Sequence, residues 1–130
     1  METKVSSMLR GQQVIDLQVQ QQVSEDIIVT SGGYTIHTFT SSGIFIPNQL
    51  GSVDYLVVAG GGGAGGGGGG GGAGGFRTAT GFDVIPQKLT VTIGAGGTAS
   101  QYNNGGTGGS SVFSSITSLG GGGGGKYNTV

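Results

Sequence analysis

Between Gly60 and Gly75 the chain holds fourteen glycines and two alanines, Ala64 and Ala73, and nothing else. No other feature limits the fold so strongly. A stretch without side chains cannot build a hydrophobic core, an amphipathic helix or an ordinary strand face. Glycine also loses more backbone freedom on ordering than any other residue. At roughly 1–2 kcal/mol per residue, fixing sixteen residues costs on the order of 20–30 kcal/mol, with almost no burial in return. Two readings of the run follow. It is a flexible, low-complexity tether, or it is held by bonding between bare backbones. In the second case the natural form is a three-residue-per-turn helix of the polyproline II type. Every N–H and C=O of that helix points outward to neighbours. As one rod, sixteen residues would reach about 50 Å at roughly 3.1 Å each. Ala64 and Ala73, nine residues apart, would lie on one side of it. With that period Gly60, Gly63, Gly66, Gly69, Gly72 and Gly75 share one packing ridge.

What flanks the run is β-structure. Tyr34 to Phe39 is rich in aromatic and β-branched residues, and Ser31-Gly32-Gly33 before it marks a turn after the apolar block Ile27 to Val29. Ser41-Ser42-Gly43 suggests a second tight turn, with Ile44 to Ile46 returning before Pro47. Val53 to Val58 reads as a strand whose far end, Leu56-Val57-Val58, is apolar on both faces, the pattern of a doubly buried strand. After the glycines, Val84 to Ile93 is strand-like, with Leu89, Val91 and Ile93 alternating with Thr90 and Thr92. Ser111 to Leu119 is a last strand before a second glycine run, Gly120 to Gly125. Twice, therefore, a strand empties directly into glycine.

Residues 1–31 differ in character. Ile15, Leu17 and Val19 alternate with polar residues, and with Val14 and Val23 they form the apolar set expected to anchor or oligomerise an extended amino-terminal arm. Glu25 and Asp26 read as a solvated gatekeeper pair. The expected organisation is an arm over 1–31 and a glycine-rich β domain over 32–130. The expected fold is all-β, a small β-sandwich with polyglycine II segments.

Several chemistries are not supported. Five basic against six acidic residues give no electrostatic footprint for nucleic acid. No apolar stretch approaches the roughly 20 residues that a membrane helix needs, and the amino terminus lacks the apolar core of a signal peptide. There is no cysteine and one histidine, His37, so neither a metal site nor a Ser/His/Asp arrangement can be argued. Gly120 to Gly125 followed by Lys126 mimics a P-loop, but Tyr127 stands where Ser or Thr is required. No cofactor and no enzymatic activity are expected.

Specific stretches resemble a glycine-rich domain of bacteriophage tail-fibre, adhesin and other virion proteins, found also in some bacterial surface proteins. They are Gly33 through Gly43 (GYTIHTFTSSG), Val53 through Gly62 (VDYLVVAGGG), Ala73-Gly74-Gly75-Phe76-Arg77, Leu89 through Gly97 (LTVTIGAGG), and Ser110-Ser111-Val112-Phe113 through Gly120. The resemblance covers roughly residues 32 to 125. It implies a structural or host-recognition role in the virion, made in the host cytoplasm, with residues 1–31 docking on the particle. The partners it implies are copies of the chain, most simply in a homotrimer, other virion proteins and a host-surface receptor. Such domains usually continue into further glycine-rich segments, so either a partner is expected to supply the missing neighbours or the chain is the front part of a longer protein. An extracellular bacterial filament or surface-matrix protein is the alternative reading, and a loose spacer the third.

Overall fold

A computed structural model describes residues 26–127. Over them run eight strands and no helix: β1 (Asp26–Ser31), β2 (Tyr34–Phe39), β3 (Gly43–Phe45), β4 (Gly51–Val58), β5 (Phe76–Val84), β6 (Leu89–Thr92), β7 (Ser111–Phe113) and β8 (Ile116–Ser118). The domain is all-β. The arm residues Val14, Ile15, Leu17, Val19 and Val23 lie outside the described residues.

β1 and β2 form an antiparallel hairpin, from Asp26 opposite Phe39 to Ser31 opposite Tyr34. Its two-residue turn is Gly32-Gly33, at φ 58° and 83°. Positive φ at both central residues is the geometry that matches strand twist, and glycine adopts it without strain. The hairpin joins residues on both sides of position 31. His37 Nδ1 and Asp26 Oδ2 lie 2.7 Å apart across it. The His37 ring meets Phe45 edge-on at 5.0 Å, which ties the hairpin to the rest of the β-structure.

The remaining strands form a four-stranded antiparallel sheet in the order β3-β6-β7-β8 and a β4-β5 ribbon packed against β7 and β8. Between them lie Val57, Val84, Leu89 and Val91, all buried, with Ala59 where the first glycines begin. Along β6 the alternation is plain, with Leu89 and Val91 inside and Thr90 and Thr92 outside. Phe113 centres an aromatic cluster, with ring distances of 6.1 Å to Phe45, 6.2 Å to Tyr55 and 5.6 Å to Phe82. Such tilted pairs contribute about 0.5–1.5 kcal/mol each beyond their area. Two fully buried serines serve the backbone. Ser118 Oγ donates to the Val57 carbonyl at 2.9 Å, and Ser111 Oγ accepts the Gly94 N–H at 3.0 Å.

Five sequence expectations need correction. Asp26 is not solvated: its side chain is 18% exposed and pairs with His37 across the hairpin. Ile44 does not return along β2; β3 pairs with β6, Ile44 opposite Thr90, so the bend at 41–43 carries the chain into another sheet rather than closing a hairpin. β4 is not buried on both faces: Val57 faces the core, whereas Leu56 and Val58 are 60% and 52% exposed. The strand expected over 84–93 breaks at Ile85-Pro86-Gln87, since proline cannot donate to a ladder. The segment 111–119 is a hairpin rather than one strand, turned at Ser114 with φ 54°.

β4 and β5 carry a bulge that the sequence did not reveal. Between the pairs Val53–Phe82 and Tyr55–Ala79, Asp54 faces two residues, Thr80 and Gly81. Gly81 sits at φ 72° and donates its N–H to Asp54 Oδ1 at 3.1 Å. That is the arrangement that accommodates an extra residue through a left-handed glycine.

If the core is as described, Leu89→Ala lowers stability by about 2–5 kcal/mol. The same truncation at exposed Leu56 changes it by no more than about 0.5 kcal/mol. Urea unfolding of the two variants measures the difference.

Candidate functional site: a glycine bundle and its tip

β4 and β5 do not end as a pair when their side chains run out. Val58 lies opposite Phe76, and the next bond joins the Ala59 N–H to the Gly75 carbonyl at 2.9 Å. The ladder then continues every third residue, Gly62 to Gly72 and Gly65 to Gly69. Gly67 and Gly68, at φ 88° and 111°, reverse the chain. The long run is therefore not one rod of about 50 Å. It is a first leg (59–66) and an antiparallel second leg (69–75), the first about 25 Å long at roughly 3.1 Å per residue. β6 and β7 are likewise extended by a third leg (94–101) and a fourth (103–109), and β8 by a fifth (119–127).

The first leg lies at the centre, and its residues sort by threes. Ala59, Gly62 and Gly65 donate to the second leg. Gly60, Gly63 and Gly66 donate to Gly109, Gly106 and Asn103 of the fourth, at 2.9 Å in each case. The carbonyls of the same three accept from Gly121, Gly124 and Tyr127 of the fifth. The carbonyls of Gly61 and Ala64 accept from Gly97 and Ser100 of the third. A three-residue repeat bonded in this way is a polyglycine II helix. Bonds of the second to the fifth leg, the fifth to the fourth and the fourth to the third complete an arc around the first. The result is two layers, third-first-second and fourth-fifth.

Packing this close leaves no room for Cβ. A methyl on Gly60, Gly63 or Gly66 would overlap the carbonyl of Ala95, Thr98 or Gln101, respectively, and one on Gly69 that of Gly125. On Gly75 it would come within 2.9 Å of the Leu119 nitrogen, and on Gly72 within 3.2 Å of the Gly122 nitrogen. The six residues of the expected ridge thus all lie at leg-to-leg contacts. They are divided between two legs rather than aligned along one. Ala64, Ala73 and Ala99 are exposed on the side of the first layer that no other leg covers. There the N–H groups of Gly61 and Ala64 find no acceptor among the described residues. Gly120 to Gly125, the P-loop mimic, is the fifth leg. Its amides at 121 and 124 are taken by Gly60 and Gly63.

The ends of the legs remote from the strands form a small tip. There the Tyr127 N–H donates to the Gly66 carbonyl at 2.6 Å, and the Gly66 N–H donates to the Asn103 carbonyl. The Asn103 N–H is held by Ser100 Oγ at 3.0 Å, and the Lys126 N–H by Asn104 Oδ1 at 2.9 Å. On this fixed backbone stand Tyr102, 83% exposed, and Tyr127, 72% exposed, one on either side of Gly66. Gln101, Asn103, Asn104 and Lys126 are exposed around them. The last side-chain carboxylate in the sequence is Asp83, so no acidic residue lies in the tip segments from the third leg onward. Sequence reading missed this tip, giving Tyr102 no role and Tyr127 only that of a mismatch to a nucleotide motif. The available signal was that each tyrosine stands among polar residues next to a glycine-rich segment.

With this architecture in view, the sequence match is informative. The chain belongs to the glycine-rich domain family, whose model matches residues 37–130. No curated protein and no solved structure matches it. No three-residue constellation of His, Cys, Asp or Glu able to hold a metal occurs among the described residues.

Gly63→Ala should abolish the folded bundle, because the new methyl meets backbone that cannot yield. Gly122→Ala, with open space around its Cβ position, should be tolerated, and should even gain about 0.4–1 kcal/mol through the less flexible unfolded chain. Thermal unfolding of the two variants reads the contrast. Amide exchange gives a second check: Gly62, Gly63, Gly106 and Gly124 are expected to be protected, and Gly61 and Ala64 to exchange quickly.

Proposed function

We propose that this chain is a structural, host-recognition component of a bacteriophage virion, in a tail fibre, an adhesin or a fibre attached to the capsid. The observation that carries the reading is the polarity of the molecule. At one end is a β-structure bearing an apolar hairpin. At the other is a rigid backbone-only bundle that ends in exposed tyrosines and amides. Such a body suits a display element, because its stiffness comes from bonding between main chains and its tip is free to meet a surface.

The hairpin end supports attachment. Ile27, Val29, Tyr34 and Ile36 share one face of the β1–β2 ribbon and are all exposed. A two-stranded ribbon is marginal by itself, and exposed apolar surface of this kind favours association. Residues 1–31 in this reading dock on the particle, and copies of the chain associate, most simply as a homotrimer. The resemblance of residues 32 to 125 to virion glycine-rich domains is the second support.

Purified full-length chain should bind the host cell surface and compete with the particles that carry it, lowering their adsorption in proportion to its concentration. An antibody raised to the loop around Tyr102 should decorate a particle appendage in negative stain. Decoration of secreted bacterial filaments, with particles unlabelled, would overturn the proposal.

A further inference from the structure

We infer that the tip around Gly66 is a saccharide-binding surface, an inference that rests on reading this end of the molecule as the recognition end. Its side chains are two tyrosines, one glutamine, two asparagines and one lysine. No aliphatic side chain larger than alanine lies in the segments 60–70, 96–104 or 121–127 that form it. Exposed tyrosines also anchor protein partners, so a protein receptor is the outcome that the experiment has to separate from a saccharide. A sugar ring presents an apolar C–H face and a rim of hydroxyls. That matches an amphipathic phenol ring beside amide donors and acceptors.

The hydrogen bonding inside the tip leaves suitable groups unused. Asn104 spends Oδ1 on the Lys126 N–H, which fixes the amide and leaves its Nδ2 donors free. Asn103 is held through its main chain on both sides, by Ser100 Oγ and by the Gly66 N–H, so its side chain is uncommitted. The Tyr127 N–H is bonded to the Gly66 carbonyl, Tyr102 adjoins Asn103, whose carbonyl takes the Gly66 N–H, and both tyrosines are exposed. Preorganisation matters for this ligand class, because a shallow site gains little from burial and cannot also bear the cost of ordering a loop. With Lys126 as the one charged side chain among the described tip residues, neutral sugars are accepted and acidic ones are not repelled.

The test uses the full-length chain on a printed array of neutral hexose and N-acetylhexosamine oligosaccharides, with uronate-bearing counterparts. The strongest binder is then titrated into labelled protein and followed by amide chemical shifts. Binding is expected, with shifts at Gly66, Tyr102 to Asn104, Lys126 and Tyr127. Tyr102→Ala and Tyr127→Ala should each weaken it about ten-fold or more. Tyr102→Phe should retain it, and Tyr34→Ala at the other end should leave it unchanged. Unaltered glycine amide shifts in the variants report an intact bundle. The inference is overturned if no saccharide binds, or if binding survives in the Tyr102→Ala/Tyr127→Ala double variant. It is also overturned if tip-dependent cell binding disappears on protease treatment of the cells, a result that leaves the host-recognition reading standing. Saccharide binding at the tip by a chain found on no particle would do the reverse.

Discussion

The structure depends on main chains approaching more closely than any side chain allows. Where Gly60, Gly63 and Gly66 face the third leg, the space for a Cβ is already filled by carbonyl groups. In exchange, two of every three amides of the first leg find a carbonyl on an adjacent leg. This reverses the usual economy of a small domain, in which side-chain burial offsets the entropy of ordering. The core of Val57, Val84, Leu89, Val91 and the Phe113 cluster is small. Its part is to hold strand ends in register, so that each leg starts beside its neighbour. β4 and β5 make the point most directly, since their pairing passes from Val58–Phe76 into Ala59–Gly75 without interruption.

Much of this was legible in the sequence, for identifiable reasons. Strand positions follow from two-residue periodicity, as at Leu89 and Val91. The hairpin turn at Gly32-Gly33 follows from turn chemistry. The three-residue ridge follows from helix geometry, once polyglycine II is entertained. The fold-back at Gly67-Gly68 was not legible, because a glycine among glycines carries no mark of its positive φ. The pairing of β3 with β6 rather than β2 was hidden for a different cause. A turn signal at Ser41-Ser42-Gly43 says that the chain bends, not which strand it then joins. The exposure of Leu56 and Val58 likewise depends on which layers exist to cover them, which is a tertiary matter.

The candidate site was half legible. The glycines that pack could be numbered in advance. The tip could not, because its residues come together only after three separate reversals or ends are brought to one level around Gly66. The open side of the first layer shows a related subtlety. Alanines stand there, at 64, 73 and 99, where a methyl meets solvent instead of a carbonyl. Methyls at these points also obstruct the close approach of another bare helix, much as natural sheets guard their edges against further strands.

The division of labour between bundle and tip has an evolutionary implication. Asn104 lends its Oδ1 to the scaffold, but Tyr102, Asn103, Lys126 and Tyr127 leave their side chains outside it. Replacing those side chains would alter what the molecule meets while asking nothing of the interior to readjust. A scaffold built in this manner can accept new surface chemistry one residue at a time, with the inherited framework left as it stands.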